Sequence, residues 1–448
     1  MKYVLSGIVA LSAALLAADD TVANWFADGK AYGDIRYYYI ETDKDDGGDV
    51  TTSQHANSVG GQLGYETGSL YGLQMGATFM ATNPFALPEN DADVDTSILG
   101  KDNGARGNDA TEGFSVLGEA YVQYARDHYT LWYGRKKLET PLINTKDVRM
   151  LPSTVQGSMA DVMLQNLHID AGYLYGFKQR TSDTFVNIVE HALGDNTEAV
   201  TGHRDGYVIP VSAVYNDHAL KVQTYDYYSP DFMNALYFGA DYTHLFAPNG
   251  AKLGLGAQYI RQRSIGKADT NLVNPLSITG GKRLCSNAFG VNASVSHHEG
   301  TFYAAYTKVL RSKNDHDSLV LPWDGTPLFT NMITSNDLFQ SLYGHAFNAD
   351  SAYIGGTQGV KLAYTQGFDF TGIHGFKASV AWAQYSNSRE GYDKDQEDIN
   401  AVLGYAGGGF SLALKGIWVS NNTGADKTGT VAQLSHLTQY RVIANYTF

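Results

Sequence analysis

The side chains best suited to chemistry in this sequence are charged residues on either side of a proline-containing segment. Arg135, Lys136 and Lys137 precede the segment, and Asp147 and Arg149 lie at its far end. A guanidinium can hold a carboxylate through two parallel hydrogen bonds, so Arg149 is the leading candidate for binding an anionic group. The alternative role is structural, with Arg149 paired to Asp147 or to other acids.

The sequence contains no pattern typical of a catalytic or metal centre. Its 13 histidines show no ligand-like spacing with acids or with the single cysteine, Cys285. His168 and Asp170 share one face of a predicted strand, as two polar neighbours commonly do. There is no Gly-x-Ser-x-Gly motif and no phosphate-binding loop. We therefore predict no catalytic residue, no metal and no cofactor.

Acidic residues outnumber basic ones and give the chain a formal net charge of -14. A nucleic-acid partner needs a basic surface, so this charge argues against one. One acidic run contains Asp43, Asp45, Asp46 and Asp49. These carboxylates are weak candidates for a divalent cation, and solvated loop tips are the simpler interpretation.

Residues 1–18 have the pattern of a secretory signal peptide. Lys2 is followed by an apolar stretch up to Leu16 and then by small residues before Asp19. The stretch is shorter than the about 20 residues that a membrane-spanning helix needs. We expect residues 19–448 to form one exported domain, because no linker or composition break divides them.

Apolar and polar residues alternate with a period of two in many segments of the remaining chain. Phe289, Val291 and Val295, for example, share one face opposite small and polar residues. Segments of about ten residues suit a tilted membrane crossing better than the shorter strands of soluble proteins. About eighteen strands are predicted, at 31–40, 58–67, 70–80, 115–125, 128–136, 157–165, 167–178, 206–215, 219–226, 235–244, 251–261, 287–297, 300–310, 357–366, 374–385, 398–406, 409–419 and 438–448.

The pattern predicts an all-β fold, a transmembrane antiparallel β-barrel. The gaps between strands mostly alternate long and short, as the extracellular loops and periplasmic turns of bacterial outer-membrane barrels do. Because hydrocarbon offers no hydrogen-bond partners, the sheet must close on itself. The last strand ends at Phe448, and such an aromatic end resembles the signal read by the barrel-assembly machinery. We expect the chain in a Gram-negative outer membrane, in contact with lipid and lipopolysaccharide.

Basic residues on the strands of such a barrel should face its lumen. A charge on the lipid side near the midplane costs about 2–4 kcal/mol. Six basic residues fall on predicted lumen faces: Arg36, Lys221, Lys361, Lys377, Lys415 and Arg441. Acids also fall on lumen faces and could simply balance them: Asp34, Glu66, Glu119, Asp170 and Asp241.

Three stretches resemble the OprD-type family of outer-membrane porins. The most specific has Gly134 ending a strand, then Pro141, then the run from Asp147 to Thr154, and Gly157 opening the next strand. Shorter matches are 35–39, and 336–339 together with 347–349. The matches cover both ends and the middle of the chain, with little identity elsewhere.

The resemblance implies that a third loop, about 137–156, folds into the barrel and narrows it. A seventh loop, about 311–356, is implied to help. Pro141 and Pro152 would stiffen the third loop. The implied constriction would use Arg135, Lys136, Lys137, Asp147, Arg149 and Asp337, and the six basic lumen residues would guide carboxylate-bearing solutes towards it.

These features predict a porin, a water-filled channel for passive diffusion of small polar or charged solutes, with a preference for carboxylates. One alternative is a structural or adhesive barrel whose acidic loops bind cations. A less favoured alternative is a barrel hydrolase. A homotrimer and a monomer are both compatible with this class.

Overall fold

The structure, a computed structural model, describes residues 19–45, 51–85, 98–100, 112–145, 147–246, 250–333, 351–389, 392–423 and 433–448. The predicted signal peptide lies outside these residues. The strands β1 to β19 are Lys30–Asp45, Thr51–Glu66, Leu73–Pro84, Phe114–Arg126, Tyr129–Lys136, Thr154–Leu164, Leu167–Lys178, Val186–Asn187, Ile209–Asn216, Leu220–Ser229, Met233–Phe246, Ala251–Ser264, Cys285–His297, Gly300–Val309, Gln358–Gly367, Phe376–Arg389, Tyr392–Gly407, Phe410–Thr423 and Gln433–Thr447. The helices α1 to α4 are Asp19–Ala27, Ile188–Leu193, Thr197–Thr201 and Lys267–Asn271.

Eighteen of the strands form one closed antiparallel barrel, which confirms the predicted fold class. Each strand pairs with its neighbour in sequence, and β1 closes the barrel against β19, with Asp34 opposite Thr447 and Asp45 opposite His436. The extra strand, β8, has two residues and pairs only with β7, while β9 pairs directly with β7 as well. Closure pairs the backbone groups that an open edge would expose to hydrocarbon.

The two faces of the barrel differ in the way that the alternation predicts. On β12, Leu255 and Tyr259 are 45% and 37% exposed on the outer face. Gln258 and Gln262, on the opposite face, are 3% and 0% exposed. Apolar side chains therefore point towards lipid and polar side chains into the lumen.

Many strands extend further on the long-loop side than predicted. β1 runs to Asp45 and β2 starts at Thr51, whereas the predicted strands end at residue 40 and begin again at residue 58. Asp43 and Asp45 therefore lie on a strand and not in a loop. β17 starts at Tyr392 rather than at residue 398. Above the apolar band both faces of a strand can meet water, so polar residues no longer indicate a loop there. Asp46 and Asp49 lie outside the described residues.

Tight turns connect the strands at the opposite, periplasmic end. In the turn between β9 and β10, the Asp217 Oδ1 accepts hydrogen bonds from the backbone N–H groups of Leu220 at 2.7 Å and Ala219 at 2.8 Å. These bonds hold the pKa of Asp217 below its usual range, because they favour the ionised carboxylate. In the described part of the chain no helix has the length and apolar character needed to cross a membrane.

Apolar residues of the loops pack together inside the ring of strands. We call residues 137–153, 179–208, 265–284 and 310–357 the third, fourth, sixth and seventh loops, from their order along the barrel. Their largest apolar cluster includes Trp323, Ile188, Leu193, Leu272 and Leu142, each no more than 1% exposed. Burial of this apolar surface stabilises the loops in one arrangement.

Candidate functional site

The third loop contacts two widely separated strands of the barrel. At one side Asp147 accepts hydrogen bonds from Arg36 on β1. At the other, the Leu142 N–H donates to the Tyr227 hydroxyl on β10, at 3.3 Å. Since β10 lies eight strands from β1 round the eighteen-stranded barrel, these contacts span nearly its full width.

Arg36 is the main polar anchor of this loop. Its guanidinium donates to the two carboxylate oxygens of Asp147 at 2.6 and 3.2 Å, and to the carbonyl of Arg149 at 2.6 Å. The Tyr38 hydroxyl donates to the carbonyl of Val148 at 3.2 Å. The carboxylate of Asp147 thus pairs with Arg36 and not with Arg149, which was one of the partners considered for that arginine.

The three basic residues at the start of the loop point in different directions. Lys137 lies 3.4 Å from Glu119 and donates to Gln62 at 3.1 Å, both on the lumen wall. Lys136 donates to Gln123 at 2.5 Å.

Arg135 requires a correction. It alternates with Leu131 and Tyr133, which are 53% and 63% exposed on the outer face, and its guanidinium lies 4.3 Å from the Phe185 ring centroid. The register of β4 and β5 continues without a shift through Gly134 to Arg135, which pairs with Ala120, so Arg135 lies on the outer face.

The third loop is bound along its length to the seventh. Ile143 forms a parallel β-bridge with Trp323. The Asn144 N–H donates to the Trp323 carbonyl at 3.0 Å, and the Gly325 N–H donates to the Leu142 carbonyl at 3.2 Å. A Cβ at Gly325 would lie 2.3 Å from the Pro141 carbonyl oxygen, so only glycine allows this approach.

Asp324 links the seventh loop to two further segments. Its carboxylate accepts from Arg180 at 2.8 Å and from the Ser153 hydroxyl at 2.5 Å. Beside it, the Trp323 indole N–H donates to the Ile188 carbonyl at 3.0 Å. The third, fourth and seventh loops are therefore one connected assembly.

The residues expected to shape the third loop lie at its ends. The Pro152 carbonyl accepts from the Lys178 ammonium at 3.0 Å, and the Pro141 carbonyl faces Gly325. Gly157 lies where the register of β6 and β7 shifts, and a Cβ there would lie 2.2 Å from the Tyr173 carbonyl oxygen.

A cavity of about 490 Å³ lies between this loop assembly and the barrel wall. The third loop contributes the acids Glu139 and Asp147, and the wall contributes the basic residues Lys361, Lys415 and Arg441. The Glu139 carboxylate accepts from the Asn144 amide at 2.7 Å and from the Thr145 hydroxyl. Three basic residues and two acids therefore line the cavity, and one of the two acids, Asp147, is paired with Arg36.

Two of the basic residues of the wall lie on neighbouring strands, and the third, Lys361, lies on β15, three strands from β18. Lys415 on β18 is directly opposite Arg441 on β19 in the strand register. Arg441 is 1% exposed and donates to Gln439 at 2.6 Å, whereas Lys361 donates to the Asn331 carbonyl of the seventh loop at 2.7 Å. The ammonium group of Lys415 is close enough to other positive charges to be repelled by them; these belong to Arg36, Arg149 and Arg441.

Two of the six expected lumen residues lie away from this cluster. Lys377 is the second residue of β16, and Lys221 the second residue of β10, both beside periplasmic turns. Lys221 stands opposite Asp241 in the register and lies five strands from β15. Asp337 lies outside the described residues.

A second polar group near the periplasmic end was not predicted. Asp161 of β6 brings its carboxylate to His168 of β7, and Asp170 lies 3.7 Å from the same imidazole. The three ligand atoms are close enough together to hold an ion. The sequence analysis treated His168 and Asp170 as two polar neighbours on one strand and did not include Asp161. Asp161 lies on β6, and only the pairing of β6 with β7 brings its carboxylate next to His168.

Sequence reasoning also missed Glu139, Trp323, Asp324 and Asn331. One signal was available: Trp323 and Asp324 lie in the segment 322–327, which starts and ends with proline and contains one glycine. Such a segment favours a fixed, non-repetitive conformation. The sequence did not show that this segment contacts the third loop.

A closed barrel of eighteen antiparallel strands with long loops on one side and tight turns on the other is the architecture of a bacterial outer-membrane channel. The family model described as outer membrane porin, OprD family, matches residues 23–448, and the chain belongs to this family. Members of the family are channels rather than enzymes, and their place is the Gram-negative outer membrane. No curated protein sequence matches the chain significantly.

Solved porin structures share the fold at low sequence identity. OpdK of Pseudomonas aeruginosa, crystallised with vanillate, is 16% identical with a TM-score of 0.70, over 95% of this chain and 99% of OpdK. OccK8 (OprE) of the same bacterium is 16% identical with a TM-score of 0.72, over 95% and 99%. OccAB1 of Acinetobacter baumannii is 14% identical with a TM-score of 0.71, over 95% and 97%.

Proposed function

We propose that the protein is a passive channel for small organic anions, in which the third and seventh loops form the constriction. The observation that carries this proposal is the cavity of about 490 Å³ between the loops and Lys361, Lys415 and Arg441. Its volume suits a small solute, and its basic wall suits a carboxylate.

The charges of the described residues support a preference for anions over cations. Asp147 is paired with Arg36, and Glu139 is hydrogen-bonded within its own loop, so both acids are less available to a passing cation. Lys415 has no ion pair within 4 Å among the residues that the structure describes. Selectivity of this kind depends on lining charge and on contacts weak enough to release the solute.

Vanillate is a useful probe, because it is an aromatic carboxylate and OpdK was crystallised with it. Vanillyl alcohol has a similar shape without the charge. We expect proteoliposomes with the purified protein to swell several-fold faster in vanillate than in vanillyl alcohol. In a planar bilayer under a salt gradient, the reversal potential should have the sign of anion preference.

The test of the wall is the double variant Lys361→Gln/Lys415→Gln, with Arg126→Gln as control. Arg126 is 70% exposed at the periplasmic edge of the barrel. The double variant should lose most of the preference for vanillate and shift its reversal potential towards cations, while the control should not. Equal rates for the acid and the alcohol in the native protein would refute the anion preference, and a barrel without conductance would refute the channel.

A further inference from the structure

Two arginines lie on the outer, lipid-facing side of β12. The outer face of this strand presents Leu255 and then Tyr259, followed by Arg261 and Arg263 at the extracellular end. Gln258, Ile260 and Gln262 on the opposite face are buried in the lumen. Arg261 and Arg263 are exposed, and no residue that the structure describes forms an ion pair with either.

The neighbouring strands confirm that both side chains face outward. Arg261 lies opposite Leu236 of β11 and Asn287 of β13. Two residues closer to the periplasm, the outward-facing positions of the neighbouring strands are Phe238 and Phe289, which are 41% and 37% exposed. The arginines therefore lie one to two rows above a band of aromatic side chains, which marks the edge of the hydrocarbon.

The arginines open onto a cavity of about 510 Å³ beside the sixth loop. This cavity is also lined by Arg283, Asp269 and Asp315. The two acids have partners within the protein: Asp269 lies 3.4 Å from Arg283 and accepts from Ser264 at 2.9 Å. Asp315 accepts from the Ser312 hydroxyl at 2.7 Å. Arg261 and Arg263 have no ion pair among the described residues. Arg283 lies beside them on the cavity wall with one of its nitrogens near Asp269, so it can add a third guanidinium to a site formed mainly by the other two.

The ligand must come from the membrane rather than from the lumen, because these side chains face away from the channel. At the height just above the aromatic band, the outer leaflet presents the phosphorylated sugars of lipopolysaccharide. Guanidinium groups match phosphate oxygens in bidentate geometry. We propose that Arg261, Arg263 and Arg283 form a binding site for a phosphate of the lipid A headgroup on the outer wall of the barrel.

The test uses the purified full-length protein in detergent, with three probes: diphosphoryl lipid A, enzymatically dephosphorylated lipid A, and inorganic phosphate. Affinities can be measured by titration, and bound lipid by native mass spectrometry. The native protein should bind diphosphoryl lipid A at least tenfold more tightly than the dephosphorylated lipid. The double variant R261Q/R263Q should lose this difference, and R283Q should lose part of it.

The control is Arg126→Gln, an outward-facing arginine at the opposite, periplasmic rim, which should bind as the native protein does. Heat-dependent mobility on gels and single-channel conductance should be unchanged in every variant, so a loss of lipid binding is not a loss of fold or of channel function. Undiminished lipid A binding by R261Q/R263Q overturns the proposal. If inorganic phosphate binds as tightly as lipid A, the site is one for free phosphate and the lipid assignment is wrong.

Discussion

Arg36 lies on the lumen side of β1 with a side chain only 12% exposed, and it makes a bidentate pair with Asp147. From its position it was expected to belong to a row of basic residues along the solute path. Its contacts hold the third loop against the wall, and a part in guiding solutes stays a prediction. A basic residue in this lumen can therefore hold a loop in place or line the solute path. Which of the two roles it has depends on whether an acidic residue of a loop pairs with it.

We expect Arg36→Gln to release the third loop. The Asp147 carboxylate, 40% exposed, would lose its charged partner, which should lower the free energy of unfolding by about 1–3 kcal/mol. The current through a single channel should become noisier and larger. Urea titration of the barrel in liposomes and planar-bilayer recording measure the two effects.

The matched double variant Arg36→Gln/Asp147→Asn removes both charges and should recover part of the lost stability, since contacting residues couple by about 0.5–3 kcal/mol. Arg126→Gln serves as control because its pair with Asp127 is highly exposed, at 70% and 77%. Exposed pairs contribute little. Additive losses in the double variant would show that Arg36 and Asp147 do not act as a pair.

At the scale of single residues, the sequence predicts orientation better than partnership. Period-two alternation correctly indicates that Arg36, Lys361, Lys415 and Arg441 face the lumen. It cannot show that Asp147, 111 residues away from Arg36, is the partner of that side chain. Arg135 was misassigned because its basic neighbours suggested one group, whereas alternation sends Arg135 and Lys136 to opposite faces.

Gly325 joins two elements, the third and seventh loops, by backbone contact. We expect Gly325→Ala to separate them, because its Cβ would lie 2.3 Å from the Pro141 carbonyl oxygen and 2.4 Å from the Leu142 Cα. Backbone atoms cannot rotate away as a flexible side chain can. The loop assembly should loosen, with a higher channel conductance and a red-shifted emission from the buried Trp323.

Gly404→Ala on β17 is the matched control. A Cβ there would meet no atom closer than 3.9 Å, so conductance and fluorescence should stay at native values. If the two alanine variants behaved alike, the contact between the loops would not depend on the missing side chain.

The strands could be predicted because each carries its own alternation and flanking turns. Their extracellular ends could not be predicted. The alternation of apolar and polar residues arises because one face of a strand contacts lipid, and β1 and β17 continue beyond the lipid layer. The loop assembly could not be predicted for a different reason. Its contacts join segments far apart in the chain, such as Ser153 with Asp324, 171 residues apart. No local pattern encodes such a pair.

For the whole molecule, the barrel is a wall between hydrocarbon and water, and the two sides should respond differently to the same charge. We expect Leu255→Arg, on the outer face, to lower the free energy of unfolding by about 2–4 kcal/mol. Asn292→Arg, on the lumen face of the neighbouring β13, should cost much less because water solvates it there. Urea titrations in lipid vesicles compare the two variants directly.

Comparable losses in both variants would contradict a water-filled interior at this height. The control has the same added side chain within one row of strand pairs, since Leu255 and Asn292 lie on adjacent positions of the β12–β13 ladder.

The oligomeric state, in contrast, stays a prediction, and so does recognition of Phe448 by the assembly machinery. Phe448 itself is held to the first strand by hydrogen bonds with Gly33 at 3.0 and 3.1 Å.

The assembly of the loops around Trp323 has a consequence for biogenesis. Its contacts join Trp323 to Ile188 and Arg180 to Asp324, 135 and 144 residues apart, so it depends on strands from well-separated parts of the ring already being in place. Pairing of sequence neighbours carries no such requirement and should come first. A newly inserted cylinder would then be briefly wide open. How quickly the loops dock afterwards would set how much each new copy leaks before the cell's permeability barrier is restored.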